Sequence, residues 1–156
     1  MIQRKQSLYL LIASIMMSWL LIRPYAEITL TDGRMLIFHS LLIKDYSTPH
    51  DFVNYKYTIP LVLIVFLTGV LNFVNIFLFS RRILQIRLCV VSSVLQVIIL
   101  LTMLYYYFMI QNSIEHTLHI FRVAAIFPII GIIFNFLAYR AIHGDELLVK
   151  SYDRIR

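Results

Sequence analysis

Amide and hydroxyl side chains placed inside long apolar stretches are the first chemical signal in this sequence. Thr68, Asn72 and Asn75 lie at i, i+4 and i+7 and share one helical face, with Gly69 beside it. Ser92, Ser93 and Gln96 lie in a second stretch, and Gly131 and Asn135 are spaced i, i+4 in a third, with Pro128 one turn earlier. Amides in lipid seek partners, and bonds between helices average about 0.6 kcal/mol and reach about 2. The plain reading of Thr68, Asn72, Asn75, Gln96 and Asn135 is helix–helix packing. The competing reading is a polar pathway for a small solute. Against it, no apolar stretch holds an acid or base, which proton and ion carriers usually keep there.

Histidines are the second signal. His116 and His119 are spaced i, i+3 with Glu115 adjacent, so on a helix the two rings could share a metal or a haem edge. Two histidines without further ligands do not define a centre, so solvated loop histidines are the expectation and no cofactor is assigned. Cys89 reads as a small apolar core residue, and as the single cysteine it forms no internal disulfide. Glycine-rich phosphate loops, nucleophile elbows and zinc-ligand spacings are absent. No catalytic set emerges, and a non-enzymatic protein is expected.

The elements that must position these residues follow from composition. The chain has 156 residues, of which 60% are apolar and 14% charged. Its mean hydropathy is +0.81. A soluble domain is nearer 45–50% apolar and about 25% charged, so an ordinary cytosolic enzyme, a disordered tail and a disulfide-stapled module are excluded. Four stretches at 7–22, 57–79, 88–110 and 123–139 carry no charge. Twenty-three helical residues reach roughly 34 Å, enough for a hydrocarbon core of about 30 Å. The first and fourth stretches are shorter and need help from flanking residues. A β-barrel would require apolar–polar alternation, which Ile59–Leu71 lacks. The expected fold is a membrane all-α, four-transmembrane-helix bundle formed by a single integral domain over 1–156.

Basic residues orient it. With the N-terminus in the cytoplasm, Arg4, Lys5, Arg81, Arg82, Arg87, Arg140, Lys150, Arg154 and Arg156 lie inside, and Arg23, Arg34, Lys44, Lys56 and Arg122 outside. The inside charges crowd into short segments, where the positive-inside rule applies best. Both termini are therefore expected in the cytoplasm of a bacterial cell, with the protein multi-pass in its inner membrane. The net charge of +6 then falls entirely on the cytoplasmic side, which reads as a topology and lipid signal and not as a nucleic-acid site. The first stretch resembles a signal peptide, but its apolar run is long and Arg23-Pro24-Tyr25-Ala26 lacks a small-x-small cleavage site, so a retained anchor is expected.

The outer segment 23–56 is too long for a simple connector. Glu27–Thr31 alternates, Asp32-Gly33 follows, and Arg34–Phe38 continues the pattern, which predicts a two-residue β-hairpin. In that register Leu30 faces Met35 and Ile28 faces Ile37. Ser40–Tyr46 is a possible third strand. The second outer segment, Asn112–Arg122, reads as a loop. The short connector Ser80–Arg87 makes the second and third helices antiparallel neighbours. The cytoplasmic tail 140–156 is expected to break at Gly144 and restart from Asp145 as a small basic amphipathic helix on the inner leaflet.

Three segments carry a family resemblance. They are Met1–Leu11 (MIQRKQSLYLL), Arg82–Cys89 (RILQIRLC), and Arg140-Ala141-Ile142 followed by Asp145–Arg156 (DELLVKSYDRIR). Together they resemble domain of unknown function family 4293, small four-span membrane proteins of Bacteroidota. The resemblance covers the whole chain in length and layout, and its C-terminal segment is the most specific. It implies location and threading, not a mechanism. Tyr139 stands where an Asn is common, and Ser92 or Ser93 where an Asn often follows the Cys, which argues against an indispensable reaction at those positions. The expected partners are membrane lipids and either a protein in the membrane or further copies of the chain. The leading function is an accessory or scaffold subunit of a membrane assembly. The alternatives are a small-solute transporter or channel and a haem- or metal-binding redox subunit.

Overall fold

The computed structural model describes residues 3–30, 35–45, 58–79, 81–111 and 116–153, with side chains at 5–29, 35–44, 58–79, 81–109 and 120–147. Four long helices carry the fold: α1 (Gln3–Ile22), α2 (Ile59–Phe77), α3 (Arg82–Gln111) and α4 (Phe127–Asp153), the last entered through a 3-10 turn at Val123–Ile126. Among the described residues each supplies a stretch long and apolar enough to cross a membrane: Lys5–Ile22, Ile59–Phe77, Arg82–Met109 and, with the entry turn included, Val123–Leu147. The first and fourth helices are thus longer than their uncharged runs. α1 reaches back through Lys5, and α4 runs on past Arg140.

Buried positions repeat at spacings of four and three on every helix. On α1 they include Gln6, Leu10, Ala13, Met17 and Leu20; on α2, Leu61, Val65, Thr68, Asn72 and Asn75. On α3 they are Gln85, Cys89, Ser92, Gln96, Ile99 and Met103. On the fourth helix and its entry turn they are Ala124, Pro128, Gly131, Asn135, Ala138 and Ile142. A repeat averaging 3.5 residues keeps one seam of each helix on the bundle axis, as in left-handed coiled coils. α1 and α3 each pack against both α2 and α4. The outward faces carry Phe66, Phe73, Leu101, Ile133 and Phe136, all exposed. Polar side chains point inward and large apolar ones outward, the distribution expected where lipid surrounds the bundle.

At one end, four antiparallel strands cap the helices: β1 (Ala26–Leu30), β2 (Met35–Phe38), β3 (Ile43–Asp45) and β4 (His116–Phe121), in the order β3-β2-β1-β4. β3 falls within the expected third strand. β4 replaces the loop expected at Asn112–Arg122. Its mixed sequence has little strand signal alone, and pairing along β1 supplies the order. The sheet therefore joins both connecting segments of this end, where a hairpin from the first alone was expected.

The hairpin register also differs by one residue. Ile28 pairs with Leu36 and Ala26 with Phe38, in place of Ile28 with Ile37. A one-residue shift exchanges the two faces of a strand. Here it turns Ala26, Ile28, Leu36, Phe38 and Ile43 onto the bundle and leaves Met35 outside. Phe38 is the residue that gains: its ring packs 6.0 Å from Tyr25 and 6.2 Å from Tyr107. The expected Asp32-Gly33 turn lies outside the described residues.

A hydroxyl relay fixes the sheet to the helices. Ser40 Oγ donates to the Leu20 carbonyl at 2.8 Å, and Thr58 Oγ1 donates to the Ser40 carbonyl at 2.6 Å. Thr58 is the N-cap of α2, but its hydroxyl does not cap the helix; it closes this relay instead. Pro60 in the first turn needs no intrahelical donor there.

At the opposite end α4 continues through Gly144 without the expected break, so Asp145 caps no separate helix and the surface helix merges into α4. A glycine within a helix costs about 1 kcal/mol, which contacts on either side offset. Ile142 is fully buried beside Leu10, Cys89 and Ala138. The Asp145 carboxylate accepts from Gln6 Nε2, and its carbonyl accepts from Arg82 Nη1 at 3.3 Å. One turn of α4 thereby holds both α1 and the start of α3.

Candidate functional site

The amide set lies on the bundle axis, between a large apolar cluster at the sheet end and a small one at the connector end. The seam repeat puts it there: the same four-three spacing that delivers Leu61 and Val65 to the axis also delivers Thr68, Asn72 and Asn75. All of Thr68, Asn72, Asn75, Ser92, Gln96 and Asn135 are fully buried.

Two pairings organise this layer. Asn135 Nδ2 donates to Gln96 Oε1 at 3.2 Å, linking α3 and α4. Gln96 reaches across because Gly131 faces it; a Cβ at position 131 would stand 2.5 Å from Gln96 Nε2. Near the connector, Asn75 Nδ2 donates to the Gln85 carbonyl at 3.3 Å, and Gln85 Nε2 donates to the Asn75 carbonyl at 3.1 Å. This reciprocal clamp closes the α2–α3 hairpin, and Cys89 Sγ accepts from Asn75 Nδ2 as well. Thr68 Oγ1 returns to the Ile64 carbonyl of its own helix at 2.7 Å. On the other wall, Ser14 Oγ donates to the Gly69 carbonyl at 3.1 Å. Both amide atoms of Asn72, Ser92 Oγ, Gln96 Nε2 and Asn135 Oδ1 are buried without a hydrogen-bond partner.

The structure thus joins Gln96 to Asn135 and places Asn75 in the connector clamp. Thr68 belongs to its own helix turn. Gln85 and Ser14 are buried, hydrogen-bonded polar residues that reading by stretches misses. Gln85, Cys89, Ser92 and Gln96 have the four-three-four spacing that would have revealed the first. The set offers neutral donors and acceptors and contains no titratable nucleophile–base pair. Its chemistry is the holding of helices or of a small neutral polar molecule.

The charged residues divide by end. Arg81, Arg87 and Arg140 are exposed at the connector end, and Arg82 is engaged with Asp145. The side chain of Lys150 and residues Arg154 and Arg156 lie outside the described residues. At the sheet end Arg122 Nη2, one residue past β4, meets Glu27 Oε2 on β1 at 2.7 Å. That carboxylate holds the guanidinium charge more firmly and raises its pKa. Burial raises the Tyr25 phenol. Burial, with the Lys44 charge behind it, pushes His39 below the ordinary histidine value.

His116 and His119 stand on β4, opposite Leu30 and Ile28. The segment is a strand, so the helical i, i+3 arrangement considered for a shared metal is not formed. Their side chains lie outside the described residues. Among the described residues no three His, Cys, Asp or Glu side chains gather where a metal would bind.

A helical bundle with four segments able to cross a membrane, a polar axis and a small antiparallel sheet at one end defines a class of small multi-pass membrane protein. Within that class the chain belongs to the family described as domain of unknown function (DUF4293), whose family model matches residues 2–155. The comparison with curated proteins gives no match.

Proposed function

We propose that this protein is a non-enzymatic accessory or scaffold subunit of a membrane assembly. It sits in a bacterial inner membrane with both termini and the α2–α3 connector in the cytoplasm. The basic residues at the connector end support that orientation by the positive-inside rule. The observation that carries the role is the sheet. It draws on both connecting segments and ends on β4, which has no strand on its outer side among the described residues. Met35 on β2 and Ile120 on β4 are about half exposed. An unpaired edge carrying the exposed Ile120, with the exposed Met35 two strands away in the same sheet, is the kind of surface to which another chain adds. The buried amides favour this role over a solute pathway, because Gln96, Asn135 and the close Gly131 approach fill the axis.

Photo-crosslinking residues placed at Met35 and Ile120, with gentle detergent extraction and mass spectrometry, test the reading. Discrete protein adducts at these positions, and not at the lipid-facing Val94, are expected. Purification as a lone monomer from several lipid compositions, with no adduct at either position, would refute it.

A further inference from the structure

A groove of about 270 Å³ opens between the C-terminal end of α1 and the entry turn of α4. Its wall is apolar, with Trp19 and Phe127 packed at 6.3 Å between ring centroids and Ala124 and Val123 beside them. Its mouth carries Arg23 and Arg122. The groove lies where one membrane-spanning stretch ends, at Ile22, and another begins, at Val123. Aromatic rings and guanidinium groups at this depth meet the acyl–headgroup boundary of a bilayer.

The charges at the mouth do not cancel. Glu27 engages Arg122 through a single nitrogen, leaving the rest of the fork open on a side chain 54% exposed. Among the described residues no carboxylate pairs with Arg23, which is exposed. Two guanidinium groups against one carboxylate leave a net positive charge over an apolar wall. Guanidinium forks match phosphate oxygens in geometry as well as charge.

We propose that this groove binds an anionic phospholipid. The phosphodiester lies between Arg23 and Arg122, and the upper acyl chain lies against Trp19 and Phe127. The site is independent of the scaffold role, since it uses neither the β4 edge nor the amide axis.

Trp19 is the only tryptophan in the chain, so its fluorescence reports this groove alone. The full protein is reconstituted in vesicles of equal phosphatidylcholine and phosphatidylglycerol, with one or the other brominated on its acyl chains. Brominated phosphatidylglycerol is expected to quench Trp19 more strongly than brominated phosphatidylcholine. Arg23→Gln, at an exposed position that leaves the fold intact, should lower that preference about fivefold, the value of one basic group near an anionic headgroup. Lys44→Gln, at the same end but outside the groove, should leave it unchanged. Equal quenching by the two lipids overturns the proposal. So does a preference that survives Arg23→Gln, or one that Lys44→Gln lowers equally. Displacement by inorganic phosphate at constant ionic strength also overturns it, because that would show an anion site without acyl contact.

Discussion

The two halves of the bundle are held by different physics. At the sheet end the seam is apolar: Met17, Leu20, Leu61, Val65, Ile99 and Met103 join Ile28, Leu36 and Phe38 in one cluster. Shape complementarity and the Ser40 relay hold this half. At the connector end the buried apolar cluster among the described residues is smaller, made of Leu10, Cys89, Ala138 and Ile142, and directional bonds take over through Asn75–Gln85, Gln6–Asp145 and Arg82–Asp145. Between them lies the amide layer. In lipid the apolar seam gains little from burial, because the helix exterior is equally content in hydrocarbon. Apolar packing therefore needs the added sheet, while the polar half specifies its register with amides that have no better partner than one another.

Breaking the sheet-end cluster should have the largest effect. Phe38→Ala removes the ring shared by Tyr25 and Tyr107 and should cost about 3–5 kcal/mol. Hydrogen exchange should rise across β1, β2 and β4 while the Asn75–Gln85 turn stays protected. Uniform exchange through the whole chain would erase the distinction between the halves.

Gly131→Ala addresses the boundary. The new methyl displaces Gln96 from its place beside Asn135; an overpacked site of this kind loses about 1–3 kcal/mol, of which about 1 kcal/mol is offset by replacing a helical glycine. In a Gln96→Ala background the loss should vanish and Gly131→Ala should become neutral or stabilising, since the clash and the bond share one side chain and only the helix preference for alanine remains. A denaturation cycle on the four proteins measures the coupling. Additive losses would show that Gly131 serves some other contact.

The smallest effect is a pH dependence confined to the sheet end. The folded state disfavours charged His39, so its pKa lies below the ordinary 6.5. As the pH falls below that value the unfolded chain takes up the proton first, and the folded state loses stability until the pH passes below the lowered value. Thermal unfolding between neutral and mildly acidic pH should show this loss, and His39→Gln should flatten it. An unchanged slope in the variant would place the acid sensitivity elsewhere.

Much of this architecture is legible in the residues. The four apolar stretches required helices because lipid leaves the backbone no other partner. Thr68, Asn72 and Asn75 shared a face by spacing alone, and that face is the axis. What escaped reading was set by distant partners. β4 exists because β1 offers it an edge, which the alternation of His116–Phe121 does not announce. The hairpin register depended on whether Met35 or Phe38 found aromatic neighbours, and those neighbours are Tyr25 and, from α3, Tyr107. Gly144 looked like a break, yet Gln6 and Arg82 hold the helix together on its far side.

The sequence by itself determined the apolar character of this protein, its four stretches able to cross a membrane and the residues that would face inward, because hydropathy and periodicity are local properties of the chain. The tertiary structure alone decided which amides met, that both connecting segments shared one sheet, and that Trp19, Arg23 and Arg122 came to line a single groove. Those outcomes depend on contacts between residues up to about a hundred positions apart, as Glu27 and Arg122 are, and no local pattern encodes them.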